Sequence, residues 1–423
     1  MNGNTKYHLN GADRFQLFFD SVARKNTGVG NVIRAVVTLN GQVSETDFRK
    51  NISLNEAISF LTGISLRKNW YSALFYFEPK TVSPDTEKFI DFHAQENSEE
   101  ALQLALTRDC NLITGSSVHI DVIYYQDKTH IVFSVNHTLM DYAGMENLLG
   151  SVFADQVVIQ RPEEKGPAKS FFVKFRETVE ATFFVAARTA WNMRRLSVKS
   201  AKCKAAFEKL EFTIAETEKI KQAASLEIGT NALSFYLGCS LFSFNRHNEL
   251  LAGEKGIYFI AVPLARRPPE YKNVVLSNFH SYIYFHAKAD EIKNVKDISR
   301  SFSGQMIMQA RRKMPEKFST LLDLFRFIPA PVYRAFIDLP TNGHAGSFAF
   351  SLLANSRLEN KSFGDCHVVD VTHYAPVITP PGLNIVFHEF AGKLKIILSF
   401  DESRMTKNQA REFLQSIREN LIT

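Results

Sequence analysis

The sequence predicts an α/β (α+β) protein of two lobes with a site between them, and three observations predict it. Segments with the two-residue period of strands alternate along the chain with segments of helical period. Each half ends on the same arrangement, a strand hairpin followed by a helix. The length, 423 residues, suits two or three domains or one large two-lobed body.

In chain order, residues 31–39 read as a strand rich in Val and Ile, and 44–61 as a helix with Ser44 as N-cap before Glu45 and Asp47. Residues 70–77 read as an aromatic strand and 99–107 as a helix. The clearest hairpin follows. Val118, Ile120, Val122 and Tyr124 alternate with His119, Asp121, Ile123 and Tyr125; residues 126–128 turn the chain; Ile131, Phe133 and Val135 then alternate with Val132, Ser134 and Asn136. His137 continues the odd-numbered face and Asn136 points the other way. Beyond them Met145, Leu148, Leu149, Val152 and Phe153 take helical spacing.

The polar stretch 161–166, with Pro162 and Pro167, closes a first lobe, 1–165; residues 166–423 form the second. This second lobe opens with a basic amphipathic helix. Phe172, Phe175, Val179, Phe183, Ala186, Ala190 and Met193 share one of its faces, and Lys174, Arg176, Arg188, Arg194 and Arg195 decorate the rest. Strands at 211–213, 258–262, 278–287, 347–353 and 368–372 and helices at 215–224 and 231–244 lead to a hairpin, 383–390 with 394–400, turning at Ala391-Gly392. A helix over 407–421 follows, opened by a Thr406–Gln409 capping box.

Composition narrows the class. Apolar residues are 45% and charged residues 22%, ordinary for a protein with a packed core. The 36 Phe bury area without a polar tip to satisfy, which favours an apolar interior or tunnel. Between Lys165 and Lys204 ten Lys or Arg face two Glu, so this stretch carries +8 of a chain whose total is +6, and the remainder is −2. That pattern is one basic segment, not a nucleic-acid binder. Cys110, Cys203, Cys239 and Cys366 stand far apart, which argues against a disulfide framework or a zinc site. No histidines pair at metal spacing, so no metal is expected. Residues 1–13 lack the apolar core of a signal peptide, and the apolar runs at 182–191 and 232–244 fall short of the ~20 residues of a membrane span. A reducing, cytoplasmic location is expected.

His137-Thr138-Leu139-Met140-Asp141 is the segment that points to chemistry. A histidine and an aspartate four residues apart are common; a strand that ends at the His and a helix that begins after the Asp make this pair stand out. The structural alternatives are a strand-end histidine and an N-cap aspartate.

Residues 131–144, IVFSVNHTLMDYAG, resemble the His-His-x-x-x-Asp-Gly region of the CoA-dependent acyltransferase superfamily, which includes chloramphenicol acetyltransferase, peptide-synthetase condensation domains and wax-ester synthases. Three more stretches agree in the expected order: 36–48 with Gly41; 259–279 with Val262-Pro263, Arg266-Arg267 and Ser277-Asn278; and 350–355 with 380–406. The resemblance implies two chloramphenicol-acetyltransferase-like lobes with a tunnel between them. It implies acyl transfer from an acyl-CoA or carrier-protein phosphopantetheine thioester, a co-substrate and not a resident cofactor, to a hydroxyl or amine. His137 would be the general base, its imidazole pKa near ~6.5 suiting it to take the acceptor's proton. Asp141 would turn away and pair with an arginine, Arg267 first and Arg266 second; the alternative for these two is a solvent-facing basic pair. Asn278, Asn136, Tyr142 and Gly144 are expected to line the site or bind substrate. Asn278 would polarise a site carbonyl, or else merely start a strand.

The sequence also departs from the family pattern. Asn136 stands where a first His is common, and Tyr142 where Gly usually follows the Asp, narrowing the acceptor entrance. The Asp-Phe-Gly-Trp-Gly element of the plant branch is absent. These departures keep a second reading open, a non-catalytic condensation-like module that binds a carrier protein or lipid. Expected partners are a small-molecule or lipid acceptor and an acyl or peptidyl carrier protein. Three roles fit the basic helix at 169–196: a solvated face with its Phe stripe in the core, contact with an acidic membrane surface through Phe and Trp191, or docking of an acidic carrier or CoA phosphates.

Overall fold

The computed structural model describes residues 6–68, 74–79, 85–113, 115, 117–154, 169–188, 193–196, 203–249, 256–329, 331–332, 334–335 and 346–422. The expected lobe exit at 161–166, the start of the aromatic strand at 70–73 and Trp191 lie outside these residues.

The chain opens with β1 (Tyr7–His8) and α1 (Gly11–Thr27). The side chain of Asn10 accepts from Asp13 N and the Asp13 carboxylate accepts from Asn10 N, a reciprocal cap that satisfies two otherwise orphan donors. Next come β2 (Val32–Asn40), α2 (Glu45–Leu54) and α3 (Glu56–Thr62). The single helix expected over 44–61 is broken at Asn55. That residue adopts an extended conformation and its side chain caps the second helix by accepting from Ile58 N, an Asn preference that outweighs the continuous spacing. After β3 (Ile64–Lys68), β4 (Phe75–Pro79), β5 (Ile90–His93) and α4 (Ser98–Thr107) comes the hairpin of β6 (Val118–Tyr125) and β7 (Lys128–Asn136). Tyr125 pairs with Lys128, so Gln126 and Asp127 alone make the turn, with Gln126 at φ 54°.

Beyond α5 (Tyr142–Phe153) lie α6 (Phe171–Ala186), β8 (Ala205–Glu211), α7 (Ile214–Gln222) and α8 (Ala232–Glu249). β9 (Ile257–Ala265) and β10 (His280–Lys288) pair antiparallel along their full length. α9 (Val295–Arg311) and α10 (Met314–Phe325) precede β11 (Ala349–Leu352), β12 (Ser362–Phe363), β13 (Cys366–Tyr374), β14 (Leu383–Phe390), β15 (Lys393–Asp401) and α11 (Lys407–Ile422).

The strands assemble as a six-stranded sheet, β12-β13-β2-β7-β6-β5, and a four-stranded sheet, β11-β14-β15-β8, with smaller sheets β9-β10 and β1-β4-β3. Each large sheet has its own core. Ile131, Phe133 and Val135 pack with α2 and α5 on one side, and Phe350, Ile385 and Phe387 pack with α8 and α11 on the other. Between them Val36, Ile123 and Val132 meet Phe207, Val386 and Ile397. Both faces of β7 are therefore buried, Ile131, Phe133 and Val135 on one and Val132, Ser134 and Asn136 on the other, and its alternation does not separate core from water.

The two halves of the sequence are not segregated in space. β13 pairs antiparallel with β2, so a strand from late in the chain completes the sheet that carries His137. α1, at the start of the chain, packs on α10 through Phe18, Phe318, Leu321 and Phe325, with Gly11 N donating to Asp323 at 3.0 Å. α6 ends at Ala186, and its stripe of Phe faces outward; Thr178, Ala181 and Phe184 are the buried positions. The reading that placed the Phe stripe in the core is thereby corrected. α10 covers one side of the helix, which meets it through Thr178, Ala181 and Phe184, the last edge-on against Phe318.

Candidate active site

The end of β7 positions His137. Its N–H donates to Asn31 O at 2.7 Å, and its Nδ1 lies 2.8 Å from Met140 O. A carbonyl only accepts, so Nδ1 carries the proton and Nε2 keeps a lone pair. Burial pushes the imidazole pKa below its ordinary value, against the Met140 carbonyl and the Asp141 charge. The ring is therefore neutral at neutral pH.

Asp141 does not bond to that ring. Its carboxylate accepts from Arg267 Nη2 at 2.5 Å, Phe279 N at 2.8 Å and Gly144 N at 2.9 Å. It is both the N-cap of α5 and the partner of Arg267. Burial raises the pKa of the carboxyl, but the guanidinium and the two N–H donors outweigh it and hold the group below the usual carboxylate value. Arg267 also donates to Val274 O at 2.7 Å and Tyr271 O at 3.1 Å and lies over the Phe279 ring, so the ion pair ties the β9–β10 connection to the His137 loop. Arg266 is elsewhere, paired with Glu316 at 3.0 Å near the surface.

Asn278, Asn136 and Gly144 stand behind the cavity wall, not on it, which corrects the expectation that they line it. The Asn278 amide donates to His137 O at 2.9 Å, Thr138 O at 3.2 Å and Asp13 Oδ1 at 3.0 Å, so the carbonyls it polarises are those of the His137 loop. Asn136, on the opposite face of β7 from Val135, donates to Asp20 and Cys110 O, both at 2.8 Å, and accepts from Thr138 N at 3.0 Å. These three bonds satisfy its amide in a fully buried position.

Gly144 packs where a Cβ would come 2.5 Å from Val275 O and 2.7 Å from Met140 Cβ. Backbone cannot yield cheaply there. Gly144→Ala is expected to cost about 1–3 kcal/mol of stability, read as a lowered denaturant midpoint; an unchanged midpoint would show that α5 tolerates the shift.

The cavity measures about 740 Å³ and is lined by both large sheets, the β9–β10 pair and α1. Its walls are mostly apolar, with Phe15, Phe19, Phe348, Phe350, Leu353 and Val386 among them. Its polar groups fall in two places. At one, His137 faces His280, ring centroids 6.3 Å apart, beside Gln16 and Tyr282. At the other, His373 Nε2 meets Glu146 at 2.8 Å, Ser356 Oγ and Arg357 N hold the same carboxylate, and Tyr142 packs edge-on against His373. The Tyr142 hydroxyl donates to Ala354 O at 2.7 Å, pinning this side chain across the cavity wall.

The protonation of His280 can be read from a chain of bonds. The Asn31 amide donates to the backbone oxygen of Gln16 at 3.2 Å and to Gln16 Oε1 at 2.8 Å. That fixes Gln16 Nε2 as the atom facing His280 Nε2, at 3.2 Å. An amide NH₂ only donates, so His280 Nε2 accepts and Nδ1 carries the proton. Burial, together with the neighbouring His137, pushes its pKa down to about 4. Among the described residues Nδ1 has no partner. α1 and His280 line the cavity without any mark in the sequence reading that they would. The Asn10–Asp13 cap and the Phe15, Phe18, Phe19, Val22 spacing signalled the helix; nothing local distinguished His280.

Outside the cavity, Asp91, His93 and Asp121 bring ligand atoms within 4.8 Å of one another. Arg108 already donates to Asp121 at 2.7 and 3.1 Å and meets Asp91 at 2.8 Å, so a guanidinium supplies their counter-charge.

The fold and this site define a two-lobed body of the chloramphenicol-acetyltransferase type, with a histidine loop between the lobes. Among solved structures the chain is similar to a trichothecene 15-O-acetyltransferase from Fusarium sporotrichioides, 12% identical over 99% of this chain and 95% of that one, with a TM-score of 0.70. It is similar to the first condensation domain of the calcium-dependent antibiotic synthetase, 10% identical over 100% and 96%, TM-score 0.69. The epimerization domain from the third module of tyrocidine synthetase B is 11% identical over 100% and 98%, TM-score 0.62. No family model matches the sequence, and no curated protein matches it. At these identities the likeness is one of fold.

Proposed function

We propose that this protein transfers an acyl group from a thioester, either acyl-CoA or a carrier-bound pantetheine, to a hydroxyl or amine, with His137 as general base. The observation that carries this reading is the neutral His137, its Nδ1–H held by Met140 O and its ring on the wall of a cavity between two lobes. The acceptor's proton passes to Nε2 as its oxygen or nitrogen bonds to the thioester carbon. The carbonyl oxygen gains the negative charge, the C–S bond then breaks, and the proton returns to the departing sulfur as thiol.

The developing oxyanion needs a donor, and His280 supplies one. Its Nδ1–H is the protonated nitrogen, and Gln16 holds the opposite one. A neutral imidazole serves as a donor without being drained by a full charge. His280→Leu is expected to lower kcat by about 10²–10³ with little change in KM. A raised KM with unchanged kcat would reassign His280 to substrate binding.

The test of the function itself is acceptor-dependent thiol release from acyl-CoAs of increasing chain length and from carrier-loaded acyl groups. Release with either donor supports transfer. Carrier binding with no release from either donor would favour a non-catalytic condensation-like module.

A further inference from the structure

We propose that the outward face of α6 docks this protein on a membrane surface rich in anionic lipid. The helix is amphipathic in the reverse sense from a core helix. Thr178, Ala181 and Phe184 are buried against α10 and Phe18. At 100° per residue Phe172, Phe175, Val179 and Phe183 fall on the other side, with Phe171 beside them at the exposed N-terminal edge of the helix. The four phenyls, in chain order, are 72%, 82%, 57% and 71% exposed. Phe171 lies against both Phe172 and Phe175, at 6.1 and 6.4 Å between centroids, so they form one continuous ridge. α10 runs antiparallel beneath, with Thr320 bonded to Glu177 and Lys317 to Glu180, which carries exposed Phe327 toward the Phe171 end. A contiguous aromatic patch of this kind is unusual on a surface that meets only water.

Charge decides what covers it. On and beside α6 stand Lys169, Lys174, Arg176 and Arg188, against Glu177 and Glu180. Those two acids are already matched by Lys169 and Lys317. A second copy of the chain would bring the same cations against these and be repelled. A protein partner would have to offer a groove to a protruding ridge. A lipid interface accepts protruding phenyls into its acyl boundary and attracts the flanking cations, each worth about 1 kcal/mol near an anionic surface. Attachment is peripheral: among the described residues no helix is long and apolar enough to cross a membrane. The α6–α10 layer also backs the cavity, since Phe15, Phe19 and Tyr284 pack against it and line the cavity wall.

The experiment is flotation of the full chain with phosphatidylcholine vesicles, with and without phosphatidylglycerol, comparing wild type with Phe171→Ser/Phe172→Ser/Phe175→Ser. These side chains face water, so the variant is expected to keep its melting curve. The expected result is binding to the anionic vesicles only, weakened by salt and reduced roughly a hundredfold in the triple variant. The proposal is overturned by no flotation of wild type on either vesicle, or by equal flotation of the variant. A wild-type dimer that the variant converts to monomer would overturn it too, as would retention of wild type by an acidic carrier protein without vesicle binding.

Discussion

His137→Ala is expected to abolish acceptor-dependent thiol release, lowering kcat by about 10²–10⁴ while the protein stays folded. In the proposed transfer the imidazole accepts the acceptor's proton, and the variant lacks it. The backbone bonds that shape the loop, from His137 N to Asn31 and from the Asn278 amide to His137 O, are untouched. The side chain gives up one hydrogen bond, to Met140 O, and is not fully buried, so the melting temperature should hardly move. pH dependence adds a second readout. Burial holds the His137 pKa below the ordinary imidazole value, so the active, neutral form prevails down to a lower pH than a free histidine would allow. The rate should fall only as pH drops through that depressed pKa, and the acid limb should vanish with any residual activity of the Ala variant. Thiol release equal in wild type and variant would remove His137 from the chemistry.

Arg267→Ala is expected to cost about 3–5 kcal/mol of stability, because it strands the Asp141 carboxylate in a buried position. Denaturant unfolding would measure it. The same change at Arg266 should cost about 0–1 kcal/mol, since its Glu316 partner is half exposed and water screens the pair. Asp141→Asn removes the charge but keeps the shape. It should restore part of the stability in the Arg267→Ala background, where the charge no longer has a partner. Linkage fixes the direction with pH. The Asp141 pKa is lower folded than unfolded, so its contribution is present above the ordinary carboxylate range and is lost as pH falls through the depressed value. Equal losses at Arg266 and Arg267 would show that the buried pair is not what holds the loop.

The His137–Asp141 loop was legible because its information is local. A strand ending at His137, Asp141 as the cap of the next helix and two hairpin–helix closures are short-range patterns, and the chain forms them where the spacing places them. Helix breaks were less legible. Asn55 interrupts a run whose apolar spacing is continuous, because its own side chain caps a new helix.

By itself the sequence determined the α/β class, the hairpins, the His137–Asp141 loop and the arginines available to it. Only the tertiary structure decided which arginine reaches Asp141, since Arg266 and Arg267 are neighbours whose side chains leave the strand end in different directions. It decided that β13 crosses to complete the sheet beside β2, that α1 brings Gln16 to His280, and that the Phe stripe of α6 faces outward. The physical reason is common to all of these. Periodicity says which side of an element is apolar, but which partner covers that side, or whether one does, is set by long-range packing that no local window contains.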